Sequence, residues 1–268
     1  MSEPREDEQL CAAVISRDAS AIERASKELQ DNHSSPSFSR ATITAIDEMN
    51  LEALSHLLQY SPLDEDIAQA AAASESTRVV QLILDQGWDV NRPLCGGQVP
   101  SMLRSSFAVR NESYLDWMLA MGANPNATSN LNETALSIAI REGTMKVVKK
   151  LLELDIMDTS RGDLLHCAIQ REESADTAEL IDRLILEKNA QVDAYEYDND
   201  IAGQWRYGFP LRTPLHIACE IMNITAAKAL LRHGANARQL KKQCNDLVPP
   251  TPLELATDKP DLQALLLA

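Results

Sequence analysis

Aromatic side chains make up only 4% of this 268-residue chain, and glycine occurs nine times. Such a composition suits small helices packed through alanine and leucine rather than a core built around large rings. No run of about 18 apolar residues is present, so no segment is expected to cross a membrane. The opening residues, Met1 to Glu8, are acidic and lack an apolar stretch, so no secretory signal is expected. The five cysteines show no paired spacing. Cys11, Cys167 and Cys219 fall beside helix-core positions, which favours buried reduced thiols over disulfides and points to the cytosol or nucleus. Basic excess is missing too. With 25 Lys and Arg against 40 Asp and Glu, the net charge is −15, which argues against nonspecific binding to nucleic acid or anionic lipid. Lys146, Lys149 and Lys150, and Lys241 with Lys242, are local groups that read as solvated helix faces or turns. An acidic surface favours a protein partner with a basic surface, and it also serves solubility.

The signatures of catalysis and metal binding are absent as well. There is no His-Glu-x-x-His, no Cys-x-x-Cys, no phosphate-binding glycine loop and no glycine-flanked nucleophilic serine. Gly96-Gly97 marks a turn with no Lys-Ser/Thr behind it. Glu172-Glu173, and Asp198 with Asp200, supply carboxylates without a partner base, so loop solvation is the expected role. The sequence assigns no catalytic residue, no metal ligand and no cofactor.

What is present is a repeat. Thr213-Pro214-Leu215-His216-Ile217-Ala218 is followed, 21 positions after Thr213, by Gly234-Ala235-Asn236. An alanine or serine at the small position of that motif recurs as Ala13, Ala45, Ala71, Ser106, Ala139, Ala168, Ala218 and Ala256, at intervals of 26 to 50 residues. A period of this size predicts a stack of seven units and a truncated eighth. Each unit has a physical grammar. Thr213-Pro214 and Thr251-Pro252 are helix starts, a capping hydroxyl followed by a proline whose missing N–H costs nothing at that position. Leu215 and Ala218 share one face of a short first helix. The second helix carries apolar residues at helical spacing, as in Val79, Val80, Leu82, Ile83 and Leu84, and in Val147, Val148, Leu151 and Leu152. Gly87, Gly122 and Gly234 stand where a left-handed residue ends a helix. Gly87-Trp88-Asp89-Val90-Asn91 and Gly122-Ala123-Asn124-Pro125-Asn126 then read as turns into hairpin-like connectors.

These motifs, with Thr134-Ala135-Leu136, resemble the ankyrin repeat, and the resemblance extends over nearly all of the chain. It implies an all-α solenoid of stacked helix-turn-helix units with short hairpin-like connectors. Residues 1–35 would form an atypical N-terminal capping repeat and 36–268 a continuous array ending in a truncated capping repeat. It also implies that His166 and His216, fourth in the helix-starting motif, hydrogen-bond between turns and do not bind metal. The contact face would be lined by the connectors and by residues after the first-helix alanine: Arg141 with Glu142, Gln170 with Arg171, and Glu220 with Ile221.

The largest departure from the pattern is an insertion at 194–210. Five of the eleven aromatic residues crowd into it: Tyr195, Tyr197, Trp205, Tyr207 and Phe209. With Arg206 they are residue types that dominate interface energetics, and long ordered loops are often functional. Two readings stay open, a recognition surface and a brace folded onto the adjacent connector. Trp88 replaces a small residue at its turn and either covers a neighbouring unit or meets a partner. Leu131 is a further surface candidate, and Trp117 reads as a second-helix core residue. The whole predicts a protein-binding scaffold with no enzymatic role of its own. An enzyme or small-molecule binder roofed by the insertion, and a host-directed effector, are the alternatives.

Overall fold

The computed structural model describes residues 6–33, 36–104, 108–171, 175–198 and 200–268. The helices follow one another as α1 (Glu6–Ser16), α2 (Ala19–Asn32), α3 (Ser39–Asp47), α4 (Leu51–Leu57), α5 (Glu65–Ala73), α6 (Thr77–Asp85), α7 (Glu112–Ala120), α8 (Ala135–Glu142), α9 (Met145–Glu153), α10 (Leu164–Ile169), α11 (Ala175–Leu186), α12 (Asp200–Trp205), α13 (Pro214–Glu220), α14 (Ile224–Arg232), α15 (Pro252–Leu255) and α16 (Pro260–Leu267). Between α14 and α15 lie two short antiparallel strands, β1 (Lys241–Gln243) and β2 (Asp246–Val248). The fold is mostly helical, as the repeat pattern predicts. This one hairpin-like connector goes further and forms a genuine two-stranded ladder.

Consecutive helices pair within each unit: α1 with α2, α3 with α4, α5 with α6, α8 with α9, α10 with α11, α13 with α14, and α15 with α16. First helices then pack on first helices, α1 on α3, α3 on α5, α8 on α10, α10 on α13 and α13 on α15. Second helices form the other layer, with α2 on α4, α4 on α6, α7 on α9, and α11 on α14. Each unit therefore meets mainly its neighbours, the arrangement that defines a solenoid. The fourth unit is irregular. A single helical turn, Met102–Arg104, takes the place of its first helix and touches both α5 and α8. Met102 and Leu103 are fully buried there and plug the gap. Ser106, expected at the small position of this unit, lies outside the described residues. The other seven small residues, from Ala13 to Ala256, are all buried.

Local chemistry explains the helix ends. Asp18, Asn50, Asp64, Ser76, Asn111, Thr144 and Asn223 each accept a backbone N–H from the first turn of the helix they precede. Thr134 and Thr251 do the same within capping boxes closed by Ser137 and Glu254. Gly87, Gly122 and Gly234 have φ of 92°, 88° and 83°, the left-handed region in which a Cβ is strained.

Helices this short leave carbonyls unpaired at their C-termini, and side chains of adjacent units take them up. The Asn50 amide donates to Val14 O (3.1 Å) and that of Asn223 to Ile169 O (3.0 Å). Lys259 Nζ reaches Cys219 O (2.6 Å). The connectors are tied in the same way. Asn91 Nδ2 donates to Gly122 O (3.0 Å) while its Oδ1 accepts the Asn124 amide, and Asn126 repeats the exchange with Ile156 and Asp158. Replacing Ala218, fully buried between α13 and its neighbours, with leucine should overpack the stack and cost about 1–3 kcal/mol. Chemical denaturation of Ala218→Leu measures this, and an unchanged midpoint would place Ala218 outside the helix interface.

Candidate partner-binding surface

The insertion at 194–210 is anchored by buried charge. Glu196 is 4% exposed, and its carboxylate is held by the Arg212 guanidinium, with Nη2–Oε2 at 2.9 Å. Arg212 Nη1 also meets Glu220 Oε2 (2.8 Å), and Lys241 Nζ meets Glu220 Oε1 (2.7 Å). A chain of four alternating charges thus joins the insertion, α13 and β1. Hydrogen bonds donated to Glu196 hold the Arg212 guanidinium above its ordinary range, against its partial burial. Burial pushes the Glu220 carboxyl up, but the hydrogen bonds from Lys241 and Arg212 outweigh it and hold it below the usual carboxylate range.

Backbone pairing seals the same junction. Leu211 and Lys242 exchange both amide bonds, and the Glu196 amide donates to Arg212 O (2.9 Å). Lys242 Nζ holds Asp198 Oδ1 (2.6 Å), and Gln243 Nε2 donates to Gly208 O (2.6 Å). Tyr195 OH donates to Leu240 O (2.8 Å) and accepts from Gln239. On the other side, the Tyr197 amide donates to Asp163 Oδ2 (3.0 Å). Burial pushes the Asp163 carboxyl up, opposed by His166 and the Tyr197 amide. Lys241, Lys242 and Asp198, expected as solvated loop charges, are therefore structural ion-pair partners. The expectation failed because each partner belongs to a distant segment.

What this base carries is aromatic and exposed. Tyr207 is 77% and Phe209 62% exposed. Arg206 makes cation–π contacts with two rings, its guanidinium carbon 4.6 Å from the centroid of Tyr197 and 5.7 Å from that of Phe209. Tyr197 itself is half-buried. The Trp205 side chain lies outside the described residues, as do Glu172 and Glu173. Across the ladder Leu247 sits directly opposite Lys242 and so shares the face from which Lys242 reaches Asp198; it is 58% exposed. The insertion is thus both brace and ledge: its acidic half is locked down, its aromatic half faces outward.

The other expected contact residues divide differently. Arg141 is held by Glu133 (2.9 Å) and Glu142 (3.1 Å). Arg171 lies close by, but its guanidinium is occupied by Ala139 O (3.2 Å), Ile140 O and Gly143 O (3.1 Å), so it caps the end of α8. Glu220 belongs to the charged chain below the insertion. Leu131 is half-buried in its turn, its amide on Ser129 Oγ. Trp88 is 6% exposed and packs into the core, with Arg92 4.6 Å over its ring. Trp117, expected as a second-helix core residue, packs against the core, its ring centroid 5.7 Å from that of Tyr114. It is half-buried and forms one wall of an open groove of about 760 Å³, with Leu51, His56 and Leu82. Helical periodicity gives the side of α7 it lies on and not what the next unit places over it.

The histidines do link turns. His216 is fully buried. Its Nδ1 accepts from the Thr213 amide (3.2 Å) and faces the Thr213 hydroxyl (2.7 Å), which leaves Nε2–H to donate to Pro250 O (3.2 Å) in the next connector. That tautomer is neutral. Burial, then the Lys241 charge, pushes its pKa down to about 4. His166 Nε2 likewise meets Arg212 O (3.2 Å), and burial lowers its pKa. Cys167 and Cys219 are buried thiols pushed up to about 12, protonated and unreactive. No cluster able to hold a metal ion, and no helix long and apolar enough to cross a membrane, occurs among the described residues.

With this geometry in view, the comparison with known proteins is specific. The ankyrin repeat family model matches residues 211–242. That span is the α13–α14 unit, including the Thr213–His216 helix start and the Gly234 turn, and it runs from the exit of the insertion into β1. This chain is a helical repeat protein that contains an ankyrin repeat. A search of curated proteins found no match.

The histidine bonding sets a pH dependence. The unfolded imidazole takes a proton near pH 6.5 and the folded one only near 4. The unfolded chain therefore binds more protons between those values, and stability present above pH 6.5 is lost as pH falls toward 4. His216→Gln should lower the melting temperature at pH 7 and flatten its decline over that window, leaving a residual slope from His166. An unaltered slope in the variant would show that His216 does not titrate this way.

Proposed function

We propose that this protein is a protein-binding scaffold whose main recognition surface is the aromatic ledge of the insertion, formed by Tyr197, Arg206, Tyr207 and Phe209 with Leu247 beside it. Ankyrin repeats typically serve protein binding, and the coarse function follows from the repeat. One observation carries the finer reading. Two large aromatics are 77% and 62% exposed on a loop whose base is fixed by ion pairs around the buried Glu196. Leaving such rings in water forfeits hydrophobic stabilisation, and a rigid base reduces the entropy lost when a partner covers them. Arg141, Glu142 and Glu220 remain contact candidates on the neighbouring first-helix ends. The acidic units before residue 201 suit a partner that also carries a basic surface.

The roles of brace and contact separate by mutation. Glu196→Ala leaves Arg212 without its buried carboxylate and should cost about 2–4 kcal/mol. Tyr207→Ser with Phe209→Ser should leave the melting temperature within a degree or so of the parent, because neither ring packs on the core. Affinity capture from native lysate, compared between parent and double variant by quantitative mass spectrometry, then reads function. Proteins held by the parent and lost by the double variant are the expected result. An identical retained set would move the recognition surface elsewhere.

A further inference from the structure

Charge is distributed unevenly in this chain. Residues 201–244 hold seven of its 25 Lys and Arg but one of its 40 Asp and Glu, a basic island of net +6 in a chain of net −15. The island is the segment that forms the ledge, its exit, the α13–α14 unit and β1. Most of its cations are engaged. Arg212 holds Glu196 and Glu220, Lys241 holds Glu220, Lys242 holds Asp198, and Arg232 holds Asp182 at 3.2 Å. Arg206 differs. None of the described carboxylates pairs with it.

The stacking of Arg206 defines what it has left to offer. The Tyr197 and Phe209 rings lie near the guanidinium, which keeps its planar fork of N–H donors for hydrogen bonding. Its backbone is pinned as well, with the Arg206 amide on Ala202 O and the Phe209 amide on Arg206 O, both at 3.0 Å. A planar fork of donors that meets none of the described carboxylates matches a carboxylate, which such a fork binds through two parallel hydrogen bonds. Tyr207 and Phe209 flank it with exposed apolar surface. Arg238, exposed in the next connector turn and outside any described ion pair, adds a second positive charge near Tyr195, whose hydroxyl is bonded at Gln239 and Leu240.

We infer that the ledge binds a carboxylate-bearing peptide segment of the partner, an acidic residue seated on Arg206 with an adjacent apolar or aromatic side chain against Tyr207 and Phe209. This rests on the reading of the ledge as the recognition surface and adds the chemistry of what it recognises. The acidic remainder of the chain bears on the partner's body, and the basic island on the segment that makes contact.

Selection of random displayed peptides on the purified full chain tests it. The expected pool is enriched in Asp and Glu next to apolar or aromatic residues. The best synthetic peptide should bind the Arg206→Gln variant about tenfold more weakly or worse, and Arg206→Lys should recover little because an ammonium lacks the planar fork. Amidating the peptide C-terminus distinguishes a chain-terminal carboxylate, whose binding it removes, from an acidic side chain, whose binding it spares. Binding that needs Tyr207 and Phe209 but shows no acidic enrichment, or that is unaffected by Arg206→Gln, overturns the carboxylate inference and leaves the ledge as the recognition surface. Binding that is indifferent to Tyr207→Ser with Phe209→Ser overturns the ledge itself. Equal melting temperatures of parent and variants confirm that each loss is one of contact and not of folding.

Discussion

Helices of six to nine residues, such as α10, α13 and α14, leave about half or more of their backbone groups without an intrahelical partner. The architecture rests on how those groups are satisfied across the boundary between units. Asn50, Arg171, Asn223 and Lys259 each hand donors to carbonyls that belong to another unit. His216 does so in the neutral form, joining the start of α13 to Pro250. A unit removed from its neighbours would expose both an apolar helix face and these carbonyls. Stability is therefore a property of adjacency, and the small buried alanines matter because they bring the donors within reach.

The same constraint accounts for the insertion. A long loop between α11 and α13 could not persist as a rigid body on its own, because two of its large aromatics face outward and bury little against it. It is held by the connector of the following unit. Glu196, Arg212, Glu220 and Lys241 form a half-buried chain of alternating charge, and Lys242 and Gln243 secure Asp198 and Gly208. Burying an isolated Glu196 would be unfavourable, whereas burying it with a bidentate arginine satisfies both groups. With that half of the loop locked, the other half presents Arg206, Tyr207 and Phe209 in a fixed arrangement. Preorganisation of this kind is what the proposed recognition surface would draw on.

Arginine shows how one residue type takes different roles by context. Arg171 and Arg206 both appear in the sequence as exposed interface candidates. Arg171 closes the carbonyl end of α8, and Arg206 lies over the Tyr197 ring and near Phe209, paired with no described carboxylate. Trp88 takes the packed one of its two expected roles, and Trp117 packs against the core while also lining a groove. Nothing in the residues flanking these positions distinguishes the outcomes, because the deciding atoms come from other units.

The repeat itself was legible from the chain alone. Thr213-Pro214, the small alanines, the second-helix periodicity and the turn glycines act over a few residues, and local backbone chemistry is written where it acts. The crowding of aromatics in 194–210 was legible for the same reason, as composition. The use made of them was not. Glu196 and Arg212 are 16 residues apart and Asp198 and Lys242 are 44 apart. β1, reading Lys-Lys-Gln, carries no alternation of apolar and polar residues to announce a strand. So the sequence by itself determined that this protein is a stack of short helix pairs, because every signal for that lies within one unit. Only the tertiary structure decided which half of the insertion is brace and which is surface, because ion pairing acts through space between segments that the chain order keeps apart.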